Sequence, residues 1–254
     1  MMTLSGYGRR EWGAISIIAI VLAAVAAWLA WWWVIAIVAL VWIAGAGFFR
    51  DPHRRVPTDL PPGSMLSPAD GAISKVFRVD HHEATGGPAQ IVRIFLSVLN
   101  VHINRAPCDG EVVGIRHTPG KYHDARTEIS AQENESNLIT LRISHGVGEA
   151  EGESHAGPDA LGRSGSGSGS GGAGGGDVET LGVRQVSGAV ARRIVCPLKV
   201  GDRLVRGQKF GMIKFGSTTE LILPRPDDVE VLVKEGDKVK AGLTVLARLK
   251  PPSA

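Results

Sequence analysis

The chain has 254 residues, of which 44% are hydrophobic and 21% charged, so it can form one sizeable domain or two small ones. Its net charge of +3, without a lysine-rich run interleaved with aromatic residues, argues against a nucleic-acid-binding protein. Two cysteines, Cys108 and Cys196, cannot form a disulfide framework and lack zinc-site spacing, so we expect a reduced domain without a bound metal.

The first predicted element is a long apolar segment. The 36 residues from Ala14 to Phe49 include no charged side chain, and all six tryptophans lie in or beside them. A single helix of that length would extend about 54 Å, whereas the hydrocarbon core of a bilayer is roughly 30 Å thick. We therefore interpret residues 1–50 as a membrane anchor of two short or re-entrant helices, with a single tilted span as the alternative.

Arginines flank both ends of this apolar segment. Arg9 and Arg10 precede it, and Arg50, Arg54 and Arg55 follow it. The positive-inside rule then places both ends in the cytoplasm. Because a basic protein is attracted to anionic headgroups, we expect a cell-membrane protein whose main domain lies on the cytoplasmic side.

The next segment, residues 51–64, contains four prolines and is predicted to be a linker. Residues 65–254 follow as a separate domain. In that domain, Val, Ile and Leu alternate with polar residues between Gly, Pro and Asp, which predicts mainly antiparallel β structure. A short helix is predicted around residues 125–136. The predicted strands cover residues 71–79, 89–98, 110–117, 136–144, 183–195, 203–216, 219–224, 228–236 and 243–250.

A break in the strand pattern follows His145. Residues 146–180 contain a run of almost pure Gly and Ser, a composition that behaves as a flexible coil. We interpret this range as an insertion and assign it no chemistry; whether it is natural is left open.

A short internal repeat occupies the C-terminal part. The segments LKVGDRLVRGQKFGMI from Leu198 and VKEGDKVKAGLTVLAR from Val233 share a Gly-Asp turn and lie 35 residues apart. Such strand-turn-strand units are typical of biotinyl and lipoyl-type hybrid barrels. The predicted fold class is therefore mainly β, with a hybrid-barrel-like C-terminal part, preceded by an N-terminal hydrophobic helical anchor.

Four further segments carry polar residues in unusual combinations: SPADG at 67–71, NVHINRAPCDG at 100–110, ENESN at 133–137 and FGMIKFGSTTELILP at 210–224. Singly, each has an ordinary explanation. An Asp before Gly is usually a turn, a lone His in a strand is usually a core residue, and Gly216-Ser217-Thr218 would mark a bulge or a close backbone approach.

In this order and together, the four segments resemble the phosphatidylserine decarboxylase proenzymes, in particular their shorter form with a hydrophobic N-terminal anchor. The resemblance runs from Phe48 to Pro224 outside the insertion. FGMIKFGS followed by LILP is its most specific part, and NVHINRAPCDG is the next.

The resemblance implies self-cleavage between Gly216 and Ser217 into a β chain, 1–216, and an α chain, 217–254, which remain associated. Ser217 Oγ attacks the carbonyl of Gly216, and the resulting ester eliminates to leave a covalent pyruvoyl group as cofactor. Glycine at this position suits a strained, kinked and exposed bond. The pyruvoyl group then forms a Schiff base with phosphatidylserine and releases CO2 and phosphatidylethanolamine.

The implied catalytic residues are Ser217, His102 and Asp70. A serine hydroxyl needs a base, and Asp70 with a histidine would activate Ser217 in the manner of a Ser-His-Asp arrangement. His102 would protonate the carbanion that remains when CO2 leaves.

One position departs from the family pattern. The longer bacterial form has two histidines three residues apart in this segment, and Arg105 occupies the second position here. The residue that activates Ser217 is therefore left open between His102, His117 and His123. Arg105 is a candidate for binding the lipid phosphate or the substrate carboxylate, and His117 and His123 are tentative substrate-binding residues as well.

Other classes of protein were weighed against this one. A membrane-anchored hybrid-barrel carrier would need a modifiable lysine in its usual setting at a hairpin tip, and an adaptor would need long heptad helices; neither pattern occurs. A pyruvoyl decarboxylase for a soluble amino acid would not need an anchor. The expected partners are phosphatidylserine and an anionic membrane surface, without nucleic acid; a homodimer is left open.

Overall fold

The computed structural model describes residues 2–144, 178–189, 193–214 and 216–251. Within these ranges the helices are α1 (Arg9–Trp28), α2 (Trp32–Phe48) and α3 (Glu128–Glu133). The strands are β1 (Met2–Leu4), β2 (Arg50–Pro52), β3 (Ser64–Leu66), β4 (Gly71–His82), β5 (Gly87–Leu96), β6 (Ile103–Arg105), β7 (Gly110–Thr118), β8 (Ser136–Ser144), β9 (Val178–Ser187), β10 (Ile194–Val195), β11 (Arg203–Leu204), β12 (Lys209–Ile213), β13 (Ser217–Pro224), β14 (Val229–Val231), β15 (Lys238–Val239) and β16 (Val245–Leu249).

Helices α1 and α2 form an antiparallel hairpin. The indole Nε1 of Trp42 donates to Ser16 Oγ at 2.9 Å, and Ser16 Oγ donates to the carbonyl of Trp12 at 2.7 Å, so this hydroxyl is satisfied among apolar side chains. By length and composition, the segment Gly6–Trp28 is apolar and long enough to cross a bilayer, whereas α2 is shorter. How many times the hairpin crosses a membrane stays a prediction.

The two ends of the hairpin meet at the main domain. Strands β1 and β2 pair with each other, and Ser5 N–H donates to the carbonyl of Phe49 at 2.7 Å. Phe48 and Phe49 are buried together with Met212 of β12. The base of the hairpin is therefore packed against the strand that leads towards Gly216.

The main domain is built on an eight-stranded antiparallel sheet, curled into a half-barrel, in the order β11-β7-β8-β9-β13-β5-β4-β15. Two three-stranded sheets, β10-β12-β6 and β14-β16-β3, contribute to the same apolar core. Strand β13 is buried along its whole length, because it pairs with β5 on one side and β9 on the other. The prediction of a mainly β fold after an N-terminal helical segment is confirmed, and α3 lies where a short helix was expected.

The two Gly-Asp segments adopt the same turn. Asp202 Oδ2 accepts the N–H of Lys199 at 2.8 Å, and Asp237 Oδ2 accepts the N–H of Lys234 at 2.9 Å. The intervening glycine, Gly201 or Gly236, has a φ of +96° or +91°, a conformation that favours glycine. The sequence repeat is therefore also a structural repeat.

Each Gly-Asp segment is hydrogen-bonded to one copy of a second repeat. The segment from Leu198 contacts APCDGEV at 106–112, and the segment from Val233 contacts SPADGAI at 67–73. Asp70 Oδ1 accepts the N–H of Ala241, and Asp109 Oδ1 accepts the N–H of Arg206, both at 2.8 Å. Strand β15 pairs with the start of β4, just as β11 pairs with the start of β7. The sequence pattern predicted the repeat of the two Gly-Asp segments but not this second repeat.

Some predicted boundaries differ from those observed. Most of the predicted Gly/Ser insertion, residues 146–177, lies outside the described residues, and β9 begins at Val178, where it pairs with Ser144. The predicted strand 203–216 is divided by a turn at Gly207, whose φ is +77°. The ends of these strands are set by their pairing with other strands and by turns, and the alternation of apolar residues alone does not reveal them.

Candidate active site

The pairing of β6 with β12 places His102 beside the chain that leads to Gly216. The N–H of Ile213 donates to the carbonyl of His102 at 3.2 Å. The N–H of Gly216 donates to His102 Nε2 at 3.3 Å. Two of the four polar segments identified in the sequence therefore meet at the predicted cleavage site.

His102 is fully buried and held in one orientation. Since Nε2 accepts a hydrogen bond, Nδ1 carries the proton and donates it to the carbonyl of Asn100 at 2.9 Å. The imidazole lies against Phe48, with 4.4 Å between ring centroids. Burial lowers the pKa of His102 to about 4, outweighing the opposite effect of the bond to Asn100. The ring is therefore neutral at physiological pH and can accept a proton at Nε2.

The bond between Gly216 and Ser217 lies at the start of β13. Gly216 has a φ of +65°, and among the described residues no atom lies within 4 Å of where its Cβ would be. The left-handed backbone, rather than lack of space, therefore favours glycine at this position. From Ser217 onward the pairing is regular, so the expected bulge is absent from β13.

The expectation of an exposed bond is wrong for Ser217, whereas Gly216 is partly exposed. Ser217 is 0% exposed, because the strands on both sides extend as far as its position. Its Oγ has no hydrogen-bond partner within the described part of the chain. A buried hydroxyl normally forms such a bond, so this oxygen is unusual in being available for chemistry.

Ser187 is the partner of Ser217 across the antiparallel pair of β9 and β13. Directly opposed residues point to the same face of a sheet, so the two hydroxyls are neighbours. Ser187 Oγ is likewise buried without a partner in the described ranges. The start of β13 therefore has a pair of unbonded hydroxyls on its inner face.

The backbone of Gly188 lies next to the carbonyl of Gly216. A Cβ added at residue 188 would lie 2.3 Å from Gly216 O and 3.1 Å from the Cβ of Ala125. The carbonyl that would be attacked during cleavage is thus packed against a backbone without a side chain. Gly188 was not predicted as a functional residue, although a glycine inside a strand pattern is a known signal of close backbone approach.

A network of buried amides lies one layer further into the half-barrel. Asn104 Nδ2 donates to Thr219 Oγ1 at 3.1 Å, and Gln185 Nε2 donates to Asn104 Oδ1 at 2.9 Å. Asn137 Nδ2 in turn donates to Gln185 Oε1 at 3.1 Å. These bonds join β6, β8, β9 and β13, and they fix the strand positions on which the site depends.

Asp70 is engaged by a buried arginine. Its carboxylate accepts two bonds from Arg54, at 2.6 and 2.7 Å, and one from the N–H of Ala241 at 2.8 Å. Arg54 Nη1 also donates to the carbonyl of Ala241. Asp70 raises the pKa of His102, but much less than burial lowers it. The described hydrogen bonds of Asp70 go to Arg54 and Ala241 rather than to an imidazole. From the sequence, Arg54 was predicted only to be one of the basic residues that flank the membrane anchor.

Arg105, at the second histidine position of the family pattern, is buried at 7% exposure. Its Nη1 donates to the carbonyl of Gly207 at 2.9 Å, and Nη2 lies 3.8 Å from Asp51 Oδ1. Burial lowers its pKa. These contacts give the guanidinium a role in joining the Gly-Asp segment that contains Gly207 to the base of the anchor.

The segment ENESN closes the site from the other side. Asn134 Nδ2 donates to the carbonyl of Ser187 at 2.7 Å and to the carbonyl of His123 at 2.9 Å. His123 Nε2 lies 3.0 Å from Glu133, whereas the side chain of His117 is 53% exposed and lies 3.7 Å from Glu135. Of these two histidines, His123 is the one connected to the cleavage site through Asn134.

Comparison with known proteins covers most of the chain. A family model described as phosphatidylserine decarboxylase matches residues 45–151 and 172–247. A phosphatidylserine decarboxylase proenzyme of Rhodopirellula baltica is 38% identical over 95% of this chain and 86% of its own length. The proenzyme of Magnetococcus marinus is 34% identical over 98% of both chains, and that of Symbiobacterium thermophilum 40% over 80% of this chain and 77% of its own.

Proposed function

The chain belongs to the phosphatidylserine decarboxylase family, and from this premise we propose that it cleaves itself between Gly216 and Ser217 and then decarboxylates phosphatidylserine. The observation that supports this most strongly is the bond from Gly216 N–H to the neutral His102 Nε2, next to an unbonded Ser217 Oγ. The family's cofactor is a pyruvoyl group formed from a serine, and Ser217 suits that origin. Among the described residues its oxygen has no hydrogen-bond partner, so removing it breaks no hydrogen bond there.

In the proposed cleavage, His102 Nε2 gives up its hydrogen bond from the N–H of Gly216, accepts one from the hydroxyl of Ser217 and then takes the hydroxyl proton. The oxygen attacks the carbonyl carbon of Gly216, the C–N bond breaks as the ester forms, and His102 passes the proton to the departing nitrogen. A base then removes the Cα proton of residue 217, and the Cβ–O bond breaks, which leaves a carboxylate on Gly216 and a dehydroalanine at residue 217. The dehydroalanine tautomerises to an imine, and water replaces its nitrogen, which departs as ammonia and leaves the pyruvoyl carbonyl.

The products would be chains 1–216 and 217–254, and the shorter chain would stay in place. Its first strand, β13, lies between β5 and β9, both of which belong to the longer chain. Leu221 and Leu223 of this strand lie in the main core. Withdrawing β13 would therefore open the centre of the sheet.

Decarboxylation needs a proton donor after CO2 has left. The pyruvoyl group, once formed, supplies the carbonyl that draws electrons from the substrate. His102 would deliver a proton to the substrate carbon, which requires a protonated ring. We expect cleavage to assist, because a carboxylate on Gly216 close to Nε2 would raise the pKa of His102.

Substrate binding and location remain proposals as well. Arg105, His117 and His123 are the candidates for contacts with the headgroup; Asn134 joins the backbone of His123 to Ser187. The helical hairpin would hold the domain at a membrane surface that contains phosphatidylserine. From the flanking arginines, we propose that the domain lies on the cytoplasmic side; the anionic lipid surface would be its partner, and a homodimer is an open outcome.

Electrophoresis of the purified full chain under denaturing conditions tests the cleavage. We expect a fragment of the 38 residues 217–254, with a blocked N-terminus, and CO2 release from detergent-dispersed phosphatidylserine. Ser217→Ala should abolish both, whereas Ser74→Ala, on a hydroxyl that donates to the Arg93 carbonyl, serves as the matched control. An intact chain with a free amine would instead support a non-enzymatic anchored carrier or adaptor.

A further inference from the structure

The loop between β5 and β6 presents two apolar side chains to the outside. Leu99 is 83% exposed and Val98 is 50% exposed. Outside α1 and α2, Leu99 is the most exposed large apolar residue in the described part of the chain. Placing two adjacent apolar side chains in water is unfavourable, so this loop tip needs an explanation.

The loop tip is held in a fixed conformation. Asn100 Oδ1 accepts the backbone N–H of Ser97 at 2.9 Å and the Ser97 hydroxyl at 2.7 Å. Asn100 N–H donates back to the carbonyl of Ser97 at 2.9 Å. Exposure of Val98 and Leu99 is therefore built into the turn.

The loop tip also lies at the base of the helical hairpin. The guanidinium of Arg50 donates to the carbonyl of Leu99 and, at 3.0 Å, to the carbonyl of Gly47. Gly47 is in the last turn of α2, so one arginine joins the apolar tip to the end of an apolar helix. An arginine at this position can also contact lipid phosphates.

We propose that Val98 and Leu99 insert into the interfacial layer of the bilayer, next to the helical hairpin, and so bring the catalytic site to the level of the lipid headgroups. The site follows the tip directly along the chain. Asn100, the residue after Leu99, accepts a hydrogen bond from His102 Nδ1 at its carbonyl oxygen, and His102 is two residues, or about 7 Å of chain, beyond Asn100. A bilayer fits better than another protein, because Arg50 joins the tip to the last turn of α2, a helix whose exposed large side chains are apolar.

This inference rests on the proposed function, and the test separates the two. Leu99→Asp and Val98→Asp would be compared with the wild type on two substrates: phosphatidylserine in vesicles with phosphatidylcholine, and a short-chain phosphatidylserine dispersed below its micellar concentration. Burying one Leu side chain in the bilayer strengthens membrane binding by about tenfold or more, according to its transfer free energy. We therefore expect at least about a tenfold loss of rate on vesicles, with a much smaller loss on the dispersed substrate.

Val200→Asp is the matched control, since Val200 is 65% exposed but belongs to another part of the surface. The neighbouring Gly201 N–H donates to the carbonyl of Val112. Val112 lies six residues along β7 from Thr118, roughly 20 Å from the strand end that pairs with Ser136 of the ENESN segment. This variant should lose no activity on either substrate.

The 38-residue fragment reports whether each variant folds, since only a folded proenzyme would cleave itself. As a second measurement, Leu99→Cys in a Cys196→Ser background would carry a polarity-sensitive dye, to be quenched by lipids brominated near the glycerol. Equal losses on both substrates, no loss on vesicles, or a dye that is not quenched would overturn the proposal. A change of oligomeric state in Leu99→Asp would point to a second copy instead. Failure of the proposed function would appear as no CO2 from either substrate with the wild type.

Discussion

Gly188 lies against the carbonyl oxygen of Gly216 so closely that a methyl group on residue 188 would be 2.3 Å from that oxygen. The two glycines have different roles. Gly216 supplies a left-handed backbone, and Gly188 supplies the space into which its carbonyl points. The orientation of the carbonyl that would be attacked thus depends on both strands.

We predict that Gly188→Ala slows self-cleavage, because the added methyl group displaces the Gly216 carbonyl from the path of Ser217 Oγ. A shift costing 1.4 kcal/mol in the transition state would slow the reaction about tenfold. Gly182→Ala is the control on the same strand, since its methyl group would meet the side chains of Ala84 and Ile222 instead. The time course of fragment release measures both, and equal rates for the two variants would contradict the prediction.

Phe48→Ala should move the pH dependence of self-cleavage. The wild-type imidazole has its pKa lowered to about 4 by burial, so it stays neutral and able to act as a base well below pH 6. Exposing the ring should raise the pKa towards 6.5, and at pH 5.5 about a tenth of the molecules would then hold a neutral His102. We expect about tenfold slower cleavage at pH 5.5 and little change at pH 8.

Phe77→Ala is the matched aromatic truncation, because Phe77 packs against a different apolar cluster. Its pH profile should follow the wild type. If Phe48→Ala and Phe77→Ala gave the same profile, burial by Phe48 would not be what keeps His102 neutral.

The two reactions should respond oppositely to pH. Cleavage needs a neutral His102 and is expected to reach a plateau above about pH 5, one unit above the pKa of about 4 that burial gives this imidazole. Decarboxylation needs a protonated His102, so its rate should fall as pH rises through the pKa of the processed protein. We expect that midpoint near or above neutrality, measured as CO2 release by fully processed enzyme. A midpoint that stays at about 4 would remove His102 as the donor.

Asp70→Asn should destabilise the fold, because it leaves the guanidinium of Arg54 buried without its counter-charge. Their side chains are 10% and 7% exposed, and breaking such a pair from one side costs about 3–5 kcal/mol. Asp109→Asn makes the equivalent change in the other repeat, where Asp109 is exposed, and should cost only about 1 kcal/mol. Chemical denaturation of the Ser217→Ala proenzyme would measure both.

The double variant Arg54→Met, Asp70→Asn separates the two roles of Asp70. It removes both charges, so stability should largely return. Self-cleavage should remain slower than in the wild type, because a carboxylate that favours protonation of His102 is missing. Complete recovery of cleavage would mean that Asp70 serves only the fold.

The four polar segments were identifiable from sequence, because each carries residue types that ordinary strands seldom combine. NVHINRAPCDG and ENESN meet the cleavage segment through the pairing of β6 with β12 and of β13 with β9. These pairings join residues that are far apart along the chain, so no local sequence pattern reveals them. Gly188 and Ser187 belong to a segment that reads as a plain strand. Their importance comes from what lies across the sheet.

Other features of the site were missed for a similar reason. By composition Arg54 belongs to the linker and Phe48 to the anchor, yet they contact Asp70 and His102, respectively. The second repeat was visible in the sequence, as SPADGAI and APCDGEV, and it would have indicated that Asp70 has a structural counterpart in Asp109. The buried position of Ser217 was not visible, since small residues after a glycine read as an exposed turn.

The internal repeat acquires a different meaning once the chain is cut. Ala241 and Gly242 donate to Asp70 and Ser67, and Arg206 and Gly207 donate in the same way to Asp109 and Ala106. The proposed break after residue 216 would leave the second set within one polypeptide and turn the first set into a subunit interface. The product would be a heterodimer that never passes through an encounter of separate partners, so its assembly should be independent of protein concentration.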